Sequence, residues 1–325
     1  MIEKYPADAH TATAHCFRHE KLCKVFPDLQ TAHQIRLMIA GIMCVDWSTR
    51  GEQAETLGKG AYAWASLMRE LMSVKPDACI LECTRTYRHT DIMFMLDAEY
   101  DMYPLTFCPC DLGVPSKRLR KYMVVIRRNG CLKWQPGCEI SGPNFMHQFG
   151  RKVVANGHVY LDDTPTSCIR EELAKWLGRR FLPLHDADGK KFTFVDAMPT
   201  KMKERFDEWT EHMRDLAEEP AADCFWDISH HPKFSNHTMN IPALTRRNMP
   251  WSQSHSRPML VHEKLEAQGI PVFNPVVTLG LDAPWADKIR TMSSWQLSSL
   301  AGNSMHLIAI GAVLSYTLMY TDYVE

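Results

Sequence analysis

At 325 residues, 45% hydrophobic and 23% charged, the chain has a globular composition with room for one large domain or two smaller ones. A formal net charge of −1 excludes a globally basic protein, so any face that meets nucleic acid has to be local. Eleven cysteines are scattered without a regular framework, and the N-terminus carries no secretory apolar region; both point to reduced thiols in an intracellular protein.

Residues 1–35 are polar and histidine-rich. The stretch 14–20 reads as a short strand ending in Glu20, an acid that either takes ribose hydroxyls, as acids at strand ends do in nucleotide-type α/β folds, or sits solvated on the surface. His15, Cys16, His19 and Cys23 lie close together, as do Cys108 and Cys110. No C-x-x-C pair completes a zinc site, so no metal is expected.

The apolar run 37–40 predicts a buried strand that ends in Gly41 and places Cys44 on the following turn. Strand ends are where crevices form in open α/β sheets, so the thiol is either presented to a substrate or packed as a core cysteine. Residues 57–72 carry Tyr62, Trp64, Leu67, Met68 and Leu71 at helical spacing and stop before Pro76. The run 78–81 predicts a second strand that delivers Glu82 at its end. Strand, helix and strand make a βαβ unit whose right-handed crossover sets Cys44 and Glu82 along one edge of a parallel sheet.

Residues 122–126 predict another strand. Arg118 and Arg120, at i and i+2 on an extended segment, project to one side and either reach one polyanion or base edge together or form a solvated basic stretch. From 130 to 255 Pro, Gly, Trp and charge are interspersed, with helical periodicity only at 169–177 and 202–216. Trp134, Trp209, Trp226 and Trp251 read equally as core or as base-stacking groups. The apolar run 307–318 falls short of the ~20 residues of a membrane span and reads as a buried helix, so no membrane partner is expected.

Five stretches carry a resemblance. Gly41, Cys44, Trp47, Ser48 and Gly51 match the spacing of G-x-P-C-x-x-[FW]-S-x-x-G, the catalytic loop of the cytosine-5 DNA methyltransferases, with Met43 in the place of proline. Residues 76–84 resemble that family's block ending Glu-Asn-Val, with Glu82 in register and Cys83 and Thr84 replacing the last two. Residues 113–128 are similar to G-V-P-Q-x-R-x-R followed by a strand, with Arg118 and Arg120 in place and Ser116 for glutamine. Arg257, Glu263, Gln268, Gly269 and Pro271 match R-x-L-[ST]-x-x-E-x-x-x-x-Q-G-[FY]-P, and residues 301–305 resemble the C-terminal Gly-Asn-[AS]-[MV] block. The family's opening F-x-G-x-G loop has no counterpart before Cys44.

The resemblance implies an α/β, Rossmann-like methyltransferase sheet, its first strands missing or divergent, with a smaller target-recognition lobe. The implied division is a partial catalytic domain over 1–129, a variable recognition region over 130–256 and a return to the catalytic domain over 257–325. The implied reaction is methyl transfer from S-adenosylmethionine to cytosine carbon 5 in DNA, RNA not excluded, through a covalent adduct. Cys44 would be nucleophile and Glu82 general acid, with Arg118 and Arg120 holding the base carbonyl and flanking phosphate. Glu20, Asn303 and Ser304 would contact the cofactor, and an upstream segment or partner chain would complete the sheet. In a eukaryote the protein would be nuclear. The alternative is a catalytically impaired relative that binds nucleic acid or a partner methyltransferase. A thiol hydrolase would need a paired histidine, and none is placed for it.

Overall fold

The computed structural model describes residues 13–16, 21–24, 35–42, 46–47, 54–55, 58, 60–138, 140–178, 191–216, 223–235, 237–272, 288–289 and 291–324. The chain divides into two compact units. One comprises Met1–Phe107, Leu119–Gln148 and Ile310–Glu325, the other Cys108–Arg118 and Phe149–Ala309. Residues 130–148 thus belong with the first unit and 257–309 with the second.

In the first unit β1 (Thr13–Cys16) and β2 (Lys21–Lys24) form an antiparallel hairpin. The main sheet has four strands: β3 (Leu37–Gly41), β4 (Ala78–Thr84), β5 (Tyr100–Phe107) and β6 (Arg120–Arg127), in the order β3-β4-β6-β5. β3 runs parallel to β4, with Leu37 opposite Ala78 and Gly41 opposite Glu82. Between them lies α1 (Ala61–Val74), completing the expected βαβ unit, and α2 (Thr90–Leu96) follows β4 in the chain. β6 is antiparallel to both β4 and β5, so the sheet is mixed.

The local sequence explains these elements. β4 is apolar almost throughout because both its faces are covered, and only Thr84 is partly exposed. In α1 the buried residues Ala61, Trp64, Ala65, Met68 and Leu71 recur at helical spacing on one face, and the helix stops at Lys75 in the left-handed conformation, just before Pro76. That face joins Met38 and Ala40 of β3, Cys79 and Leu81 of β4, and Met123 and Val125 of β6 in one core. Asp77 pins the start of β4, accepting the Arg36 main-chain N–H at 2.9 Å and an Arg127 Nη2 bond at 2.7 Å.

Two expectations need correction. β3 is not a buried strand: Leu37 and Ile39 are each 40% exposed, since β3 ends the sheet and no described strand pairs with its outer side. Glu82 lies within β4 rather than after it, because pairing with β6 continues to Thr84 opposite Arg120.

The unit is closed by β7 (Leu132–Trp134) paired with β11 (Thr321–Tyr323). Its second core is aromatic. Phe107 stacks on Tyr122 and meets Phe145 of α3 (Gly142–Phe149), which meets Tyr316 edge-on. Trp134 is stacked between Tyr103 and Tyr320.

The second unit contains α4 (Thr166–Trp176) and α5 (Thr200–Arg214), where helical periodicity predicts them. It also holds a three-stranded antiparallel sheet of β8 (Phe225–Asp227), β9 (Pro250–Ser252) and β10 (Arg257–Pro258). Trp209, Trp226 and Trp251 are buried in its core with Leu173, Phe194 and Met213, which settles three of the four tryptophans as core groups. α6 (Val261–Glu266) ends in a turn at Gly269, whose φ of 81° favours glycine. The stretch Ser294–Met319 is long and apolar enough to cross a membrane by length and composition. It is, however, two helices, α7 (Ser294–Asn303) and α8 (Leu307–Met319), broken at an extended Ser304 with His306 buried beside the break.

Candidate active site

Glu20 and residues 43–45, Cys44 among them, lie outside the described residues; Glu82, Ile42, Asp46 and Trp47 lie within them. The parallel register of β3 and β4 continues one residue past β3, where the Ile42 N–H donates to the Glu82 carbonyl at 2.8 Å. The Cys83 thiol reaches the Ile42 carbonyl at 3.7 Å. On the far side of Cys44, Asp46 and Trp47 are buried. Asp46 Oδ2 accepts the Gly60 N–H at 2.5 Å, and a Cβ on Gly58 would fall 2.1 Å from Asp46 Cγ, so a side chain there would have to displace the Asp46 carboxylate. The Trp47 carbonyl accepts from Thr86 Oγ1 at 2.5 Å, and its ring meets Tyr87 edge-on at 5.0 Å. Both ends of the Cys44 stretch are therefore fastened to β4 and the turn after it.

Glu82 is buried, with its Oε1 2.9 Å from Arg120 Nε. The two are close enough for an ion pair, yet among the described residues no N–H is aimed at Oε1 and it accepts no hydrogen bond. A buried carboxylate oxygen with charge compensation but no donor retains capacity for one. Arg120 is held in place by its position opposite Thr84 and by an Nη1 bond to the Leu119 carbonyl at 2.9 Å.

The two predicted arginines do different things. Arg120 belongs to the unit of Glu82, whereas Arg118 belongs to the other unit and is 4% exposed. Its guanidinium donates to the main-chain carbonyls of Leu244 at 3.0 Å, Ser304 at 2.8 Å and Gly302 at 3.5 Å. Arg118 ties three chain segments together inside its own unit, so the i, i+2 spacing does not make the pair one anion clamp.

The block 257–271 is a structural device. Arg257 and Glu263 form a buried two-pronged pair at 2.7 and 3.0 Å, and the same carboxylate accepts from Thr164 Oγ1 and the Leu260 N–H, each at 2.6 Å. Lys264, buried beside it, donates to the Asn248 carbonyl at 2.7 Å, and burial pulls its pKa down to about 8.

For a methyl-donor cofactor the described residues offer little. Asn303 is exposed, with its amide nitrogen 3.3 Å from Ser299 Oγ. Ser304 spends its N–H on the Leu300 carbonyl, its hydroxyl on the Ala301 carbonyl and its own carbonyl on Arg118. Among the cavities lined by described residues are one of about 140 Å³ around Met93, Tyr100, Tyr103 and Arg128, and an open one around Cys138, Asn144, His147 and Tyr320. Neither includes Glu82, Asn303 or Ser304. The described residues alone do not fit S-adenosylmethionine.

Sequence reading missed Asp46 and Asp77, whose partners become neighbours only on folding. It also missed a polar cluster in the second unit. His158 Nε2 lies 2.9 Å from both Ser252 Oγ and Ser254 Oγ, and its ring stacks on His255 at 5.1 Å. Burial first, and the facing His255 second, lower the His158 pKa and keep it neutral. Only the S-x-S-H run at 252–255 hinted at it.

No family model and no curated protein matches the sequence. Among solved structures, the Dnmt2 methyltransferase of S. pombe superposes at a TM-score of 0.50 with 13% identity, over 87% of this chain and 78% of that one. The Entamoeba histolytica methyltransferase EhMeth superposes at 0.45 with 12% identity, over 87% and 77%. A DNA modification methyltransferase encoded within an E. coli prophage does so at 0.48 with 13% identity, over 88% and 79%. At these identities the likeness is one of fold: the chain has a Rossmann-like methyltransferase fold with a mixed sheet.

Proposed function

We propose that the protein methylates carbon 5 of cytosine in DNA through a covalent adduct of Cys44. The observation that carries this is the double tether: Ile42 bonded to Glu82 on one side of Cys44, and Asp46 and Trp47 anchored to Gly60 and Thr86 on the other. Cys44 stands two residues from Ile42, a reach of about 7 Å at most. In this reading the nucleophile and the acid bracket one ring, once the base has left the duplex stack.

Cytosine carbon 5 is a poor nucleophile until a thiolate adds at carbon 6. The Cys44 thiolate forms that bond, and the electron pair pushed into the ring is neutralised as Glu82 gives a proton, or a hydrogen bond, to ring nitrogen 3. Arg120, already beside Glu82, would hold the base carbonyl. A bound donor would supply the methyl group to carbon 5, after which loss of the carbon-5 proton to water lets the ring expel Cys44. Arg118 acts through the framework. The donor in this reading is S-adenosylmethionine, with Asn303 as one contact and the rest of its cradle supplied by residues outside those described or by another chain.

Met43 in the place of proline, and Cys83 and Thr84 after Glu82, favour a second reading, a methyltransferase-like protein that binds nucleic acid or a partner methyltransferase without turnover. Methyl incorporation into cytosine-containing duplex DNA, with an RNA duplex as comparison, separates the two. The wild type is expected to incorporate label, Cys44→Ser none, and Glu82→Gln roughly 10²–10⁴-fold less. Equal activity in Cys44→Ser and wild type overturns the assignment of the nucleophile.

A further inference from the structure

The loop before β9 and the first turn of α7 meet in the second unit and present two arginines and a tryptophan outward. Trp295 is 69% exposed in the first turn of α7, a position fixed by reciprocal bonds between Ser293 and Gln296 at the helix start. The Arg246 guanidinium carbon lies over its ring, 5.8 Å from the centroid. Arg246 and Arg247 are both exposed, and among the described residues neither has a carboxylate partner.

The placement is built rather than incidental. Ser298 Oγ donates to the Arg246 carbonyl at 2.8 Å. Gly302 lets the backbones touch, since a Cβ there would fall 2.3 Å from the Arg246 nitrogen. Behind the arginines, Thr245 and Asn248 bond each other reciprocally at 3.0 and 3.2 Å, and Arg118 and Lys264 hold the carbonyls of Leu244 and Asn248. A loop fastened this firmly loses little freedom when its tip binds a ligand.

We infer that Arg246, Arg247 and Trp295 form a contact surface for an unpaired stretch of nucleic-acid strand, the arginines taking phosphodiester oxygens and the tryptophan an unstacked base. Contact through the ring face leaves the Arg246 N–H donors free for an anion, and the guanidinium fork matches two phosphate oxygens. Trp295 offers the π surface on which single-stranded binders stack bases without regard to sequence. The inference rests on the proposed reaction for its partner, a nucleic acid, and not for its chemistry.

The test is fluorescence anisotropy of the full chain with a labelled single-stranded oligothymidylate, which contains no cytosine and so reads this surface apart from the reaction. Wild type is expected to bind, with affinity falling as salt rises. Arg246→Ala/Arg247→Ala is expected to weaken binding at least tenfold and to flatten the log–log salt slope by about 1.4, two single-strand phosphate contacts at about 0.7 each. Trp295→Ala is expected to weaken binding about tenfold with the slope unchanged, and Trp295→Phe to restore it. Thermal unfolding of each variant should match wild type, as all three side chains are exposed. Absence of binding by wild type, or wild-type affinity and slope in the double arginine variant, overturns the inference. Failure of Cys44 to methylate, with these binding results intact, would sink the proposed reaction alone.

Discussion

Arg257 and Glu263 show how a residue pair that reads as part of a functional motif can serve the fold. Both are buried and each satisfies the other, so removing one leaves an uncompensated charge in the interior. Arg257→Met is expected to cost about 3–5 kcal/mol in urea unfolding, and a cost under 1 kcal/mol would contradict this reading of the pair. His306 makes the second unit acid-sensitive. Burial first, and the Arg118 charge second, hold its pKa at about 4, against an opposing bond with the Ala267 main chain. The unfolded histidine binds its proton first as pH falls below about 6.5, so stability declines between there and pH 4 and then levels, by about 3 kcal/mol. His158 and His262, also lowered by burial, add in the same direction. His306→Asn should therefore reduce the acid loss of Tm without abolishing it; an unchanged pH profile would refute the assignment. At this scale the strand that carries Glu82 was legible from its apolar run, though Glu82 lies within it rather than at its end. The role of Arg118 was not, because its carbonyl partners lie 126 to 186 residues away in the chain.

The elements were legible where one periodicity ruled. α1, α4 and α5 declare themselves through apolar residues on one face, and β4 through a short apolar run between Pro76 and the turn after Thr84. β3 misled, because Leu37 and Ile39 resemble core residues of a central strand while standing on an open sheet edge. Burial is decided by what lies beside a strand, which its own sequence does not contain. Ile39 and Ile80 sit directly opposite each other and give the contrast: Ile80→Ala, fully buried, is expected to cost about 2–5 kcal/mol, and Ile39→Ala less than about 1 kcal/mol. Equal costs in urea unfolding would mean that the outer side of β3 is covered in solution.

At the scale of the molecule, five short blocks in order gave the class of fold, and the mixed sheet with β6 antiparallel agrees with it. The partition into units was less legible, since Arg118 and Arg120 stand two residues apart and fall on opposite sides of it. The donor site is the weakest part of the expected machinery. We expect the chain alone to bind S-adenosylmethionine more weakly than micromolar, because each missing contact of about 1.4 kcal/mol costs tenfold; micromolar binding by calorimetry would show that residues beyond those described complete the cradle. The central claim is that Cys44 attacks cytosine, and the most direct measurement is intact-protein mass after incubation with S-adenosylmethionine and a duplex carrying 5-fluorocytosine. Fluorine cannot leave as a proton does, so the adduct cannot be eliminated. The account predicts a protein–DNA adduct mapped to Cys44 and absent from Cys44→Ser; an adduct on any other cysteine, or one that persists in Cys44→Ser, would contradict it.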